Sequence, residues 1–193
     1  MEAARAELRS TRAGDIEITY VSSWFDHPGF IGTNAAHVAA ALETLPPDVV
    51  GQARIVFTAH SIPVSMAERS QYREQLHHAS KAVAERLGND WVLVYQSRSG
   101  RPEDPWLGPD ICDYLKTAHA AGLRAAVICP IGFVCDHIEV LYDLDREAAD
   151  IAREVGLPMT RADAVNDDPL FLDMMADMVL RRLKRPTLPI VAG

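Results

Sequence analysis

Short apolar runs alternate along this chain with longer segments in which apolar residues recur every three or four positions. Such alternation is typical of βαβ units. Strands are predicted at 16–22, 53–59, 91–96 and 124–130, and helices near 3–11, 32–44, 70–87, 110–121, 136–155 and 168–184. Because continuously apolar strands are buried on both faces, the pattern predicts an α/β fold, a three-layer α/β/α sandwich with a parallel, doubly wound sheet.

Length and composition narrow the class of protein. The chain has 193 residues, 48% hydrophobic and 24% charged, which is ordinary for one globular domain with a sizeable core. The chain has no run of 18 apolar residues, so no membrane-spanning helix is predicted. The net charge of −8 argues against a nucleic-acid partner. Three cysteines without CxxC spacing indicate reduced thiols and a cytoplasmic protein.

Polar side chains follow three of the predicted strands. His60 ends "RIVFTAH", Ser97 follows "WVLVYQ", and an acidic segment follows "RAAVICP". In open α/β sheets, ligands bind beyond the carboxyl ends of the strands. We therefore expect these three strand ends to form one site.

The acidic segment is "DHIEVLYDLDREAAD", residues 136–150. At about 100° per residue, one stripe about 80° wide would hold five carboxylates. They are Asp136, Glu139, Asp143, Glu147 and Asp150. The nearby Arg146 falls outside the stripe, so the repulsion between the acids is not offset along the helix.

His60 has two interpretations. Alone, a histidine at a strand end is more often a capping or core residue than a ligand. Beside carboxylates, its imidazole favours a divalent-metal pair, and two protein ligands leave the metal free to exchange.

The loop "YQSRSGRPEDPWLGPD", residues 95–110, holds Trp106 between prolines. Its composition fits a rigid surface loop with one packed aromatic residue. It fits equally an aromatic wall for a flat ligand, held by stiff turns.

Together with "SWFDHPGF" at 23–30, three blocks resemble the ferrochelatase family, in the family's order: "FTAHSIP", "QSRSGRPEDPWLGPD" and "PIGFVCDHIEVLYDLDRE". The resemblance implies a chelatase-like fold and insertion of ferrous iron into a porphyrin, coproporphyrin III or protoporphyrin IX, in haem biosynthesis. It implies that His60 and Glu139 are catalytic and face the metal, and that Asp143 and Glu147 form a metal path. Ser97 and Trp106 would then contact the porphyrin, with Asp136 and His137 supporting Glu139.

Metallation requires that a hydrated cation be captured and that two pyrrole protons be removed. A helical row of carboxylates is suited to the first task. His60 is suited to the second, because histidine is the side chain that most often accepts a proton in catalysis. The acidic stripe is thus interpreted as a path for cations and protons.

The resemblance departs from the family in two respects. The chain corresponds to the second of two similar halves, with residues 1–160 as the chelatase-like domain lacking its first strand and 161–193 as a helix and tail. We expect it to need the first half or to self-associate, and to show little activity alone. The tail "LKRPTLPIVAG" has no cysteine. No iron–sulfur cluster or other permanently bound cofactor is therefore expected, with Fe²⁺ as substrate.

Two other functions remain open at this point. One is a short chelatase that inserts cobalt or nickel into a different tetrapyrrole. The other is a non-catalytic fragment that retains the metal-binding residues. The "PWLGPD" loop favours the ferrochelatase interpretation over the short chelatases.

Overall fold

A computed structural model describes residues 19–101 and 103–184 of the chain. The strands are β1 Ala53–His60, β2 Trp91–Gln96, β3 Ala125–Cys129 and β4 Met159–Arg161. The helices are α1 Pro28–Leu42, α2 Val64–Ala67, α3 Tyr72–Leu87, α4 Ile111–Ala120, α5 Ile138–Tyr142, a π segment Asp143–Ala148, α6 Ala149–Val155 and α7 Pro169–Lys184. A 3-10 turn at Val50–Gln52 precedes β1.

The described strands form one parallel sheet in the order β2-β1-β3-β4. Helices α1 and α3 pack together on one face, and α4 packs with the π segment and α6 on the other. The predicted three-layer sandwich with a parallel sheet is therefore confirmed.

Alternate residues of the central strands supply the two cores. Val56 and Ile128 lie in the core beneath α4 and α5, together with the fully buried Leu115, Val140 and Leu144. Their neighbours Phe57 and Cys129 are also fully buried, and the Cys129 thiol lies 3.6 Å from Asn34 Oδ1 of α1. Burial of successive residues on both faces explains the continuous apolar runs of the sequence.

Local signals set most helix ends. The Asp110 carboxylate caps α4 by accepting a 2.8 Å hydrogen bond from the amide of Cys112. Gly88 and Gly156, both at φ 74°, end α3 and α6 in the left-handed conformation that glycine adopts most easily. These ends agree with the predicted helices to within about two residues.

Two predictions about strands were wrong or incomplete. The described part of the predicted strand 16–22, residues 19–22, has no regular structure. Strand β4 was not predicted, because three residues are too few to give a periodic pattern. It crosses residue 160, where the sequence placed a domain boundary. The helix predicted at 3–11 lies outside the described residues.

The chain forms two compact units. One comprises Trp24–Met174 and holds the whole sheet. The other combines residues from both ends, where Arg182 Nε donates a hydrogen bond of 2.5 Å to Thr19 Oγ1. Within 19–101 and 103–184, no helix is long and apolar enough to cross a membrane.

Candidate active site at the carboxyl edge of the sheet

The ends of β1 and β2 and the start of α5 meet at the carboxyl edge of the sheet. His60 is the last residue of β1 and pairs in register with Gln96, the last residue of β2. The segment that leads to α5 follows β3 on the other side of β1, and its Gly132 amide donates to the carbonyl of Thr58 at 3.0 Å. The convergence predicted from the order of elements is observed.

His60 presents one ring nitrogen to this edge. Its Nδ1 lies 2.6 Å from the Ser61 carbonyl, which can only accept a hydrogen bond, so the Nδ1 atom carries a proton. In the neutral ring, Nε2 then has a free lone pair. This Nε2 lies 4.0 Å from Glu139 Oε2, and the two side chains are 32% and 49% exposed. The pair could share a cation or a proton.

Glu139 is placed by the start of α5. His137 is the N-cap, and its Nδ1 accepts a 3.2 Å hydrogen bond from the Glu139 amide. The His137 ring also packs edge-on against Phe133, with the ring centroids 5.2 Å apart. His137 thus sets the helix start that carries Glu139.

The continuous helix Ile138–Val155, here called the acidic helix, differs from the predicted one in two ways. It begins two residues later, so Asp136 precedes it and is not on its stripe. Its middle, Asp143–Ala148, is a π-helix rather than an α-helix. Since a π turn bonds i to i+5, the assumed 100° per residue fails there, and the predicted five-carboxylate stripe is wrong.

Three acids of the segment 136–150 have basic partners. Asp136 and Asp145 both bind Arg161, which is only 12% exposed, through contacts of 2.8 Å and 2.6 Å. Asp150 pairs with Arg153 at 2.5 Å on the surface. The sequence suggested Arg146 as the nearby basic residue, but the positive charge beside Asp136 and Asp145 is that of Arg161 in strand β4.

Arg161 also fixes the segment before α5. Asp136 accepts a 2.7 Å hydrogen bond from Asn166, whose Oδ1 in turn accepts the Asp136 amide at 2.9 Å. Burial would lower the pKa of Arg161, but its bonds to Asp145 and the charges of Asp136 and Asp145 raise it. The predicted supporting residue Asp136 is therefore part of a charged clamp beside the site.

Asp143 lies one turn after Glu139 and touches the end of β2. Its Oδ2 accepts hydrogen bonds from the Ser97 hydroxyl and, at 3.4 Å, from Gln96 Nε2. The same Gln96 amide lies 3.3 Å from the backbone carbonyl of Glu139. The structure thus links Asp143 to Ser97, a residue that the sequence assigned to the porphyrin.

Glu147 lies further along the π segment, towards α4. Burial is the main cause that raises the pKa of Cys112 to about 11, and the charges of Asp110 and Glu147 add to it. Glu147 is exposed, with no ion pair among the described residues. It is available to solvent cations.

The Trp106 loop is fixed against the segment after β1. Trp106 forms an antiparallel bridge with Pro63, and the Leu107 amide donates to the Ile62 carbonyl at 3.0 Å. The indole covers Gly100, where an added Cβ would lie 2.1 Å from the ring. Its Nε1 is buried without a hydrogen-bond partner in the described chain. Trp106 is therefore anchored near His60 by backbone bonds.

Apolar residues surround Glu139 on the exposed side. Ile138 is 74% exposed and Tyr142 is 54% exposed, although both belong to the acidic helix. Single exposed apolar side chains are common, but a contiguous apolar patch rimmed by polar groups is typical of a binding surface. Neither residue was predicted from the sequence, where the available signal was an apolar side chain directly before the acidic positions 139 and 143.

The described residues contain no group of three or more histidine, cysteine or acidic side chains placed to hold a metal ion. Within the described residues, His60 and Glu139 form a two-residue arrangement at the sheet edge. Such a pair suits a cation that arrives and leaves more than a resident one.

Comparisons with known proteins identify the family of the chain. A sequence model described as ferrochelatase matches residues 1–183. The coproporphyrin III ferrochelatase of Streptomyces griseus is 44% identical over 91% of this chain and 52% of its own length. The ferrochelatase of Rhodopirellula baltica is 47% identical over 82% of this chain and 46% of its own.

A solved structure shares the fold. A cobalamin (vitamin B12) biosynthesis CbiX protein from Marinobacter aquaeolei VT8 aligns with a TM-score of 0.51 and 16% identity, over 69% of this chain and 99% of that one. At this identity the match speaks only for the fold. The chain spans about half the length of the curated relatives that it matches. With a family match over nearly all of its residues, the chain belongs to the ferrochelatase family.

Proposed function

We propose that this chain carries the metal-facing half of a ferrochelatase site, a lyase that inserts ferrous iron into a porphyrin. The observation that carries the proposal is the approach of His60 Nε2 to Glu139 Oε2 at 4.0 Å, at the sheet edge where chelatase-like folds bind ligands. Relatives named coproporphyrin III ferrochelatase make coproporphyrin III the first substrate to test.

The proposed chemistry follows from the ring tautomer of His60. Its Nδ1 is held by the Ser61 carbonyl, so Nε2 accepts a pyrrole proton. The resulting imidazolium is stabilised by the Glu139 carboxylate, which faces the same nitrogen. The first proton leaves from Nε2 through Glu139 to solvent, to which both side chains are exposed, so that His60 can accept the second. The resulting porphyrin dianion binds the metal through its four nitrogens.

Cation supply is assigned to Asp143 and Glu147. Both belong to the π segment that follows Glu139, and Glu147 is exposed to solvent. Carboxylates exchange with the waters of a hydrated divalent cation, so the two acids can pass it towards Glu139. Asp136 and His137 keep Glu139 in place from the start of the acidic helix.

The porphyrin is proposed to lie between the Trp106 loop and the exposed apolar residues Ile138 and Tyr142. A flat macrocycle would cover these side chains while its centre meets His60 and Glu139. Ser97, at the end of β2, would lie at the margin of the ring. The three free cysteines are consistent with a cytoplasmic location, which we also propose.

Single-turnover metallation tests this function. The chain, in excess over coproporphyrin III, is mixed with Fe²⁺ without oxygen, and the shift of the porphyrin absorption band is followed. We expect His60→Ala and Glu139→Ala each to lower the rate at least about 100-fold, the usual scale for a lost acid–base group.

His78→Ala and Glu154→Ala are the matched controls, since both side chains are exposed, His78 on α3 and Glu154 in the last turn of the acidic helix, far from Glu139 along that helix. They should metallate at the wild-type rate. Near wild-type rates in His60→Ala would refute the assignment. Insertion of Co²⁺ or Ni²⁺ but not Fe²⁺ would favour a short chelatase instead.

A further inference from the structure

The end of strand β2 holds Asp143 through two side chains that no metallation step uses. Gln96 is 1% exposed, although it is polar and lies at a strand end. Its Nε2 reaches both the Glu139 carbonyl and Asp143 Oδ2, at 3.3 Å and 3.4 Å. A buried amide is costly unless it is hydrogen-bonded, so its placement between these two acceptors calls for an explanation.

Gln96 acts where the acidic helix changes type. Helix α5 ends at Tyr142, and the π segment begins at Asp143. The Glu139 carbonyl, one turn before this junction, accepts both the Asp143 amide and Gln96 Nε2. The Gln96 amide thus binds both the backbone before the junction and the side chain that follows it. The Gln96 Oε1 atom is buried without a partner among the described residues.

Ser97 holds the same carboxylate from an unfavourable backbone conformation. Its φ is 61°, in the left-handed region that residues other than glycine seldom adopt. Holding a serine there costs free energy, which is usually retained only where the side chain has a task. The Ser97 hydroxyl donates to Asp143 Oδ2.

Both donors reach the same oxygen. Oδ2 of Asp143 accepts from Gln96 and Ser97, and no other hydrogen bond to the Asp143 carboxylate occurs in the described chain. The second oxygen, Oδ1, has no hydrogen bond among the described residues, which leaves its lone pairs for a cation. A carboxylate fixed in one rotamer binds a cation without first losing side-chain entropy.

We propose that Gln96 and Ser97 are positioning residues that fix Asp143 for cation supply. They hold its carboxylate by one oxygen and pin the start of the π segment, so that the other oxygen and Glu139 receive the cation in sequence. The inference rests on the proposed function, in which Asp143 belongs to the metal path. It assigns to Ser97 a role exerted through Asp143, in addition to any contact with porphyrin.

Ser97→Gly is the decisive variant. It deletes the hydroxyl but relieves the left-handed backbone, so the folded state should be about as stable as the wild type. Co²⁺ alone is titrated into ¹⁵N-labelled chain, and its paramagnetic effect on the amide signals of residues 139–148 is followed. We expect about tenfold weaker Co²⁺ binding there, the scale of one lost hydrogen bond to a charged group.

Thr117→Ala is the control, because it removes an exposed hydroxyl that bonds only to its own helix. It should bind Co²⁺ as the wild type does. In single-turnover metallation at chain concentrations that bind all of the porphyrin, Ser97→Gly should raise the metal concentration needed for half-maximal rate by a larger factor than it lowers the rate at saturating metal. If Ser97 had only a structural role, the metal concentration for half-maximal rate and the rate at saturating metal would change together.

A second variant, Gln96→Met, keeps the volume of the side chain but removes its donors. It should weaken Co²⁺ binding and speed amide hydrogen exchange in residues 143–148. Wild-type Co²⁺ affinity in a folded Ser97→Gly protein would overturn the inference and leave the His60–Glu139 assignment intact. A wild-type chain that binds no Co²⁺ near residues 139–148 would overturn both proposals.

Discussion

Tyr72 holds the backbone of His60, the proposed proton acceptor. Its hydroxyl donates a 2.9 Å hydrogen bond to the carbonyl of His60, which holds the end of strand β1. Burial raises the pKa of Tyr72 to about 12, and the neighbouring Tyr95 adds to this. The phenol is therefore neutral at any physiological pH and acts as a donor, not as an acid in the reaction.

The raised pKa predicts how stability depends on alkaline pH. A tyrosine that ionises near pH 10 when unfolded and near 12 when folded stabilises the protein fully below pH 10. That contribution is lost as the pH rises from 10 to 12. Because the ring is partly exposed and screened by solvent, we expect a loss of about 1–2 kcal/mol from this group.

Urea unfolding of the wild type and of Tyr72→Phe at several pH values tests whether Tyr72 causes this loss of stability above pH 10. Tyr72→Phe should be less stable by about 1 kcal/mol at pH 8, since its hydrogen bond is missing. Its free energy of unfolding should fall less steeply than that of the wild type above pH 10. Parallel curves for the two proteins would contradict the expectation.

At the scale of elements, Arg161 connects strand β4 to the acidic helix. It contacts Asp145 of the π segment through two nitrogens, at 2.6 Å and 3.0 Å, and Asp136 at 2.8 Å. A planar guanidinium can satisfy both carboxylates at once, which a lysine cannot. The geometry of the helix that carries Glu139 thus depends on a strand 20 residues away.

Removing this guanidinium should loosen the acidic helix. Arg161→Met leaves two carboxylates beside one another without their counter-charge, so we expect a loss of about 2–4 kcal/mol in the free energy of unfolding. Arg161→Lys should recover part of that loss. Urea denaturation measures both variants.

Arg153→Met is the matched control, because Arg153 forms an exposed ion pair with Asp150 on the same helix. Exposed pairs contribute about 0–1 kcal/mol, so this variant should stay close to the wild type. Equal losses in Arg153→Met and Arg161→Met would argue against a special role of the clamp.

At the scale of the whole molecule, the proposed site is open. His60 and Glu139 are 32% and 49% exposed, and Ile138 is 74% exposed. In the proposed function, the described residues would provide one wall for a porphyrin, which would keep most of its other face in water. Since binding energy and orientation both depend on burial, steady turnover by this chain on its own should be slow.

Porphyrin affinity tests this picture. By fluorescence quenching, the chain should bind coproporphyrin III weakly, and Trp106→Ala should weaken binding by a further 1–3 kcal/mol, roughly the scale of one lost aromatic contact. His78→Ala should have no effect. Unchanged affinity for coproporphyrin III in Trp106→Ala would indicate that the loop is only a rigid surface loop.

Much of the molecule could be predicted from the sequence. The parallel sandwich, most ends of its helices and the convergence of three strand ends follow from periodicity, capping residues and the order of elements, whereas the pairing of His60 with Glu139 was implied by the family resemblance. These features depend on short-range chemistry and on a general rule for parallel sheets, so a single sequence contains them.

Other features were decided only by tertiary structure. The π segment and the ion pairs of Arg161 break the predicted stripe of acids, and the contacts of Gln96 and Ser97 give Asp143 its neighbours. A prediction from periodicity assumes one fixed angle per residue and considers only charges that are close in sequence. Contacts between distant segments change both the angle per residue and the charge around each acid. The free-energy cost of a π turn, or of two neighbouring carboxylates, is offset by a hydrogen-bond or ion-pair partner that comes close only in the folded chain.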